Sequence, residues 1–302
     1  MNESSAILLS KERQIEMLHT NLWHVSGVVL SAFLIFRLFC DIAVGQERLE
    51  LNTVLMKSTF KLQGEGSMGT GFVIGRPSNK EPNKAYYVLV TAAHVLEKMQ
   101  GDQAYIILRT KKDDGTYEKI PFPIKIRGDS KPLWVRHNEV DVAAMYVSLP
   151  KNIDMPLLAA NFLVDDKGIQ EFEIHPGDEL MCLGYPLSVE GPEGFPILRS
   201  GKIASYPLLP TKHIKSFLLS LQIFEGNSGG PVYFVESGRT YKGSVHVSTI
   251  QFIAGLISEQ YFATENIESL REKKEVKHPL SLAVVIHSVF IKETIDKLPK
   301  FD

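Results

Sequence analysis

The sequence predicts an all-β protein built as two successive β-barrels. Three observations predict it. Apolar runs of strand length recur along the chain, and clusters of Gly, Pro, Asn, Asp and Ser separate them. A chain of 302 residues is long for a single core but suits two of about a hundred residues each, with extra segments.

Residues 1–21 are polar and read as a tail, and 22–44 are mostly apolar. Gln46 to Lys61 then leads into the first barrel, placed at about 51–148. Its strands are predicted near Thr70 to Ile74, Ala85 to Thr91, Ala104 to Arg109, Ile120 to Ile126 and Val140 to Val147. Turn chemistry divides them at Arg76 to Asn83, Lys111 to Gly115 and Gly128-Asp129. A stretch of mixed composition, 149–176, links to a second barrel at about 177–287. There the expected strands lie near Glu179 to Leu183, Ile197 to Tyr206, Ser216 to Phe224, Gly230 to Val235, Ile250 to Ser258 and Leu282 to Ile286. Apolar residues at Val289, Phe290, Ile291, Ile295 and Leu298 suit a short terminal helix, 288–299, packed on that barrel.

Composition excludes some classes of function. Hydrophobic residues at 44% and charged residues at 23% are ordinary for a globular chain, and a net charge of −2 offers no bulk attraction to nucleic acid, so none is expected as a partner. The run Arg271 to His278 interleaves Glu with Lys and reads as a solvated face or loop. Only two cysteines occur, Cys40 in the apolar segment and Cys182 in a strand-like run, so a disulfide between them is not expected. Neither belongs to a Cys-x-x-Cys pair, and no metal or other cofactor is expected. Gly64-Glu-Gly66-Ser-Met-Gly69 fits a nucleotide-loop pattern, but it runs into the strand Thr70 to Ile74 where a phosphate-binding helix should begin.

The chemistry concentrates in three segments. Gly226-Asn-Ser228-Gly-Gly-Pro-Val232 presents a serine on a glycine-crowded turn. A serine hydroxyl is a poor nucleophile unless a base and an orienting acid accompany it. His94, in Thr91-Ala-Ala-His94, follows an apolar strand, and Asp141, in Glu139-Val-Asp141-Val-Ala, lies at the edge of another. Taken singly each has a bland reading: Ser228 as the polar member of a hairpin, His94 as a capping or core histidine, Asp141 as a solvated acid with Glu139 two residues away. In the order His, Asp, Ser, spaced 47 and then 87 positions apart, they constrain one another.

These segments resemble the trypsin/chymotrypsin-like serine peptidases, and most closely the bacterial Deg (HtrA)-type branch. Gly69-Thr-Gly-Phe-Val-Ile-Gly75 is similar to the family's early Gly-Ser-Gly-Phe strand, and Gly184-Tyr185-Pro186 to a turn of the Deg branch. Gly255-Leu-Ile-Ser258 is similar to the strand lining the substrate cleft, and Leu282 to Ile286 to the last barrel strand. The resemblance runs from about Leu51 to the C-terminus, within a peptidase domain placed at 45–302. It implies a chymotrypsin-like fold of two six-stranded antiparallel barrels with the active site between them. It also implies a serine endopeptidase working through an acyl-enzyme, with His94, Asp141 and Ser228 as the triad and the N–H groups of Gly226 and Ser228 as the oxyanion hole. The C-terminal peptide-binding (PDZ) domain of many Deg-type enzymes is not expected here, since the resemblance to the peptidase domain runs to the last residues. The Ile-Val-Gly-Gly terminus that activates secreted trypsins is absent too, so control is expected in the shape of the loop Glu225 to Asn227.

The same resemblance places the substrate-binding residues. Gln222, six before Ser228, stands where trypsin-like enzymes carry the aspartate that selects Lys or Arg, so small or medium uncharged side chains are expected at the cleaved position. Glu225, Glu259 and Gln260 fall beside that pocket, and an extended peptide or unfolded protein is expected to add a strand along Ser258 to Gln260. The apolar segment, with a core from Val25 to Phe36, reads as a transmembrane anchor or a cleaved signal peptide. Either places the peptidase in the cell envelope or outside the cytoplasm, anchored to the membrane or secreted. The rival reading is a catalytically silent peptidase fold serving as a peptide-binding or scaffold protein of the envelope. Oligomeric state is not legible.

Overall fold

The computed structural model describes residues 50–78, 85–268 and 273–300. The tail, the apolar segment 22–44 and Cys40 lie outside the described residues. Among the described residues, no helix is long and apolar enough to cross a membrane.

Helix α1, Leu51–Ser58, opens the described chain, and Glu50 caps it by accepting from the N–H groups of Asn52 and Thr53. It buries Leu51, Val54 and Leu55. Strands β1 (Thr59–Glu65) and β2 (Ser67–Pro77) form a hairpin turning at Gly66, whose φ of +79° suits glycine. The Gly64 to Gly69 pattern is therefore a strand-turn-strand. β3 (Ala85–Thr91), helix α2 (Ala93–Lys98), β4 (Gln100–Lys111), β5 (Tyr117–Lys125), the short β6 (Arg127–Gly128), β7 (Lys131–Pro132) and β8 (Val135–Arg136), and β9 (Ala143–Tyr146) complete the first half. Seven of these strands make one antiparallel sheet in the order β5-β4-β1-β2-β3-β9-β8. No ladder joins β5 to β8 among the described residues, so this half curls without closing through hydrogen bonds.

The linker contains helix α3 (Asp166–Glu171), capped by the Asp165 carboxylate on the N–H of Gly168. The second half is a closed six-stranded barrel in the order β10-β11-β12-β15-β14-β13, made of β10 (Glu179–Gly184), β11 (Ile197–Ile203), β12 (Ser216–Ser220), β13 (Pro231–Tyr241), β14 (Ser244–Glu268) and β15 (Lys273–His287). Helix α4, Ser288–Asp296, buries Phe290, Ile291 and Ile295 in a cluster shared by the first half and by Ile253, Leu256 and Ile286 of the barrel, so it packs against both and not on the second barrel alone.

The short helices α2 and α3 are absent from the sequence reading, and three further elements depart from it. Helix α1 and strand β1 occupy the stretch read only as a lead-in, because alternation there is short and propensity is a weak guide beside a waiting core. The charged run read as a face or loop is largely strand: Lys273 to His278 pair in register with Glu268 to Ala263. Cross-strand partners, invisible to local patterning, decide that segment.

Burial creates one pH-sensitive point. His287 is 1% exposed, lies 4.9 Å from the Phe217 ring, and has no hydrogen-bond partner at either ring nitrogen among the described residues. Burial pushes its pKa down to about 4, against a weak opposing pull from Asp166. Between pH 6.5 and about 4 the unfolded chain binds a proton that the folded one refuses, so stability is lost as pH falls through that window. The loss is expected to reach about 3 kcal/mol, and His287→Phe should remove it; urea unfolding at pH 7 and pH 4.5 checks both.

Candidate active site

Ser228, His94 and Asp141 come from three separate elements. His94 lies in the first turn of α2, where backbone N–H groups lack intrahelical acceptors. Asp141 satisfies one of them: its Oδ1 accepts from the His94 N–H at 2.9 Å, while Oδ2 meets His94 Nδ1 at 2.6 Å. The carboxylate thus holds both the backbone and the ring of the same histidine. A third donor, Ser258 Oγ, reaches Oδ2 at 2.7 Å. Burial alone would raise the Asp141 pKa, but the hydrogen bonds from His94 and Ser258 outweigh it and hold the pKa at about 2. Glu139, its neighbour in the sequence, turns outward to Lys215 at 3.0 Å and takes no part.

The loop that carries Asp141 is fixed by His137, which is 4% exposed. Its Nδ1 accepts from the Glu139 N–H at 3.1 Å, so the proton sits on Nε2, which faces Glu293 of α4 at 3.0 Å. Packing of the ring edge on Phe290, with centroids 5.2 Å apart, completes the clamp. Neither His137 nor the Ser258 hydroxyl stood out in the sequence, since each acts through a contact more than a hundred residues away.

Ser228 sits between β12 and β13, and its Oγ donates to the Ser258 carbonyl at 2.9 Å. The surrounding loop is tied to β2. Thr70 N–H donates to Ser228 O at 2.9 Å, Thr70 Oγ1 donates to Gly226 O at 2.6 Å, and Thr91 Oγ1 donates to Thr70 O at 2.7 Å. One threonine therefore sews the first half of the protein to the Gly226–Ser228 loop of the second. Gly229 fits only because it lacks a side chain: with φ of +86°, a Cβ there would lie 2.1 Å from Thr70 O.

Gly226 is equally constrained. Its φ is +94°, and a Cβ would sit 2.1 Å from the Tyr185 carbonyl. The Glu225 carbonyl accepts from Leu187 N–H at 2.7 Å, so across the planar trans peptide the Gly226 N–H points the opposite way. Among the described residues, neither the Gly226 nor the Ser228 N–H enters a hydrogen bond, which leaves two amide donors free beside the hydroxyl. Asn227 steadies the turn from within: its N–H donates to Phe224 O at 3.0 Å, and its Oδ1 accepts from Phe224 N–H at 3.2 Å.

The segment against Gly226 is itself held by Arg109 of β4. This buried guanidinium donates to Tyr185 Oη at 2.9 Å, to Gly194 O at 3.1 Å, and to the carbonyls of Met56, Lys57 and Thr59. The Phe60 and Phe195 rings flank it at 4.8 and 4.5 Å. Burial lowers its pKa from the usual arginine value, and Tyr185 Oη gives the largest opposing pull. Its hydrogen bonds go to carbonyls and a phenol.

Beside Ser228 lies a cavity of about 300 Å³ lined by Gln222, Ile223, Phe224, Glu225, Glu259, Gln260, Phe262 and Pro279. Four of the five residues expected to contact substrate line it, and the fifth, Ser258, offers its carbonyl to the Ser228 hydroxyl. Glu225 and Glu259 are exposed at its rim. Phe262 and Pro279 were not singled out in the sequence, because they reach the cavity only through the pairing of β14 with β15.

A family model described as a trypsin-like peptidase domain matches residues 69–240, more than half of the chain. The chain belongs to the trypsin-like peptidase family. It is accordingly a hydrolase of the serine endopeptidase class, with peptides or proteins as substrates. Among solved structures, this peptidase is similar to an inactive form of Rv3671c from M. tuberculosis, with 17% identity, 82% of this chain and 88% of that chain covered, and a TM-score of 0.39. It is also similar to the protease Anisep from Arthrobacter nicotinovorans, with 14% identity, 81% and 96% covered, and a TM-score of 0.44. No curated protein sequence matched.

Proposed function

We propose that the peptidase cleaves peptide bonds through a His94-Asp141-Ser228 triad and an acyl-enzyme. The observation that carries this reading is the double grip of Asp141 on the His94 main chain and Nδ1, which fixes the ring and leaves Nε2 as its free nitrogen. The reaction requires the Ser228 side chain to turn from the Ser258 carbonyl toward that nitrogen. As Oγ bonds to the carbonyl carbon of the scissile peptide, His94 takes the hydroxyl proton and then delivers it to the departing amine nitrogen. Water, deprotonated by the same imidazole, attacks the ester carbon, and the proton returns to Ser228. Asp141, ionised far below neutral pH, stabilises the imidazolium in both halves. The N–H groups of Gly226 and Ser228 receive the developing oxyanion, where losing one donor typically costs about 3 kcal/mol of barrier.

The apolar walls of the cavity and the neutral Gln222 favour a small or medium uncharged side chain at the cleaved position. The rim carboxylates of Glu225 and Glu259 are solvated, which weakens their pull on a basic residue. We further propose that the apolar stretch 22–44 places the enzyme in the envelope or outside the cytoplasm.

A fluorophosphonate probe is expected to label the wild type at Ser228, to fail entirely with Ser228→Ala, and to react roughly 10⁴-fold more slowly with Asp141→Asn. Labelling that survives Ser228→Ala would sink the triad. Profiling on a peptide library should show uncharged residues before the cut bond, and a majority of Lys or Arg there would refute the pocket reading. Fractionated cells should hold the native protein in the membrane or outside it, with its amino terminus starting either at Met1 or just after Gly45; recovery from the cytosol argues against the location.

A further inference from the structure

The cleft wall does not end where the barrel does. Pairing of β13 with β14 stops at Pro231 and Leu256, and the last bonds on that side join Ile257 to Gly229 and Gly230. β14 nevertheless continues to Glu268, paired with β15 alone, as a two-stranded ribbon rising from the nucleophile. A bulge between Ile257 and Gln260, opposite Val285 to Ala283, marks the point where it leaves the barrel wall. Among the described residues, no strand pairs with the other edge of β14 from Ser258 onward.

That edge has a definite chemistry. Phe262 stands opposite Pro279, which has no N–H to give, so the two cannot exchange the paired bonds of a hydrogen-bonded site. They fit the non-hydrogen-bonded kind, in which Phe262 turns its own N–H and C=O to the open edge, and Thr264 follows by the period of two. The Ser258 carbonyl faces Ser228 on the same edge. Phe262 also lines the cavity beside Ser228, and Tyr261, Phe262 and Leu280 stand 51%, 50% and 49% exposed. Natural sheets usually blunt an edge of this length with short strands, charges or covering loops; this one is open and carries aromatics.

We infer that the open edge of β14 beyond Gln260, centred on Phe262 and Thr264, binds an extended segment of the substrate on the N-terminal side of the cut bond. The occupant follows from continuity: a peptide seated along Ser258 to Gln260 with its scissile carbonyl at Ser228 runs next along this edge. Residues 261–264 would engage roughly three or four substrate residues further from the cut, at one partner per strand residue. Recognition by main chain requires a segment without structure of its own, so the inference selects unfolded polypeptide with a long upstream stretch, and apolar side chains opposite Phe262. It rests on the proposed triad for the position of the cut.

The test uses a nested series of peptides sharing one cleavage site, with four or nine residues upstream, and the variant Thr264→Pro. Proline there deletes an N–H on the open edge and leaves the ladder to β15 intact. The ratio of kcat/KM for the long peptide over the short is expected to be about ten in the wild type, the order of a few net hydrogen bonds, and close to one in Thr264→Pro. The same ratio should appear in Kd for the two peptides measured by fluorescence anisotropy on Ser228→Ala, which needs no turnover. A length-independent wild type, a Thr264→Pro variant that keeps the gain, or sedimentation showing the edge closed by a second copy of the chain overturns the inference. Absent fluorophosphonate labelling with length-dependent binding retained would instead strike the triad and leave the ribbon standing.

Discussion

The arrangement depends on the Asp141 carboxylate and the three donors that converge on it. Two come from His94 and one from Ser258, so one anion holds together a helix start in the first half and a strand in the second. A carboxylate sheltered from water loses hydration, and only hydrogen bonds aimed at it can restore that loss. Asp141 is aimed at from both sides of the cleft. The elements that supply those donors are consequently fixed relative to one another, and the position of the imidazole follows from the position of the acid.

Around that anion the cleft is built by backbone approach more than by side-chain bulk. Gly226 and Gly229 stand where a single methyl group would collide with a carbonyl, and Thr70 binds the carbonyls of Gly226 and Ser228. Arg109 extends the same logic outward. A guanidinium with five donors can hold several carbonyls at once, which a lysine could not match, and here it ties α1, β1 and the turn after Tyr185 to β4. The shape of the Glu225 to Ser228 loop is thereby linked to residues in α1 and β1.

Much of this was legible in the sequence, for reasons that differ by residue. Ser228, His94 and Asp141 could be named because each sits in a short, dense motif whose neighbours are themselves constrained by close packing. The strand Ala85–Thr91 was readable to the residue because an apolar run bounded by turns leaves little choice. His137, Thr70, Arg109 and the Ser258 hydroxyl were not, since their partners lie at long range and nothing in their local context distinguishes them. The β14–β15 ribbon was missed for a related reason: the run is charged, and Glu275, Lys277 and His278 are exposed as the sequence suggests, yet the backbone from Lys273 to His278 is committed to a partner strand. The apolar segment 22–44 falls outside the described residues, so it stands on sequence alone.

Cys182 sits in β10 at the centre of the second barrel, buried, reduced, and with burial pushing its thiol up to about 12. A sulfur that stays protonated and out of contact with solvent neither attacks disulfides nor takes up oxidants at ordinary rates. Among the described residues no covalent cross-link contributes to cohesion. The catalytic body can therefore keep its shape in glutathione-rich and in oxygenated surroundings alike, held by packing and hydrogen bonds that electron transfer does not touch.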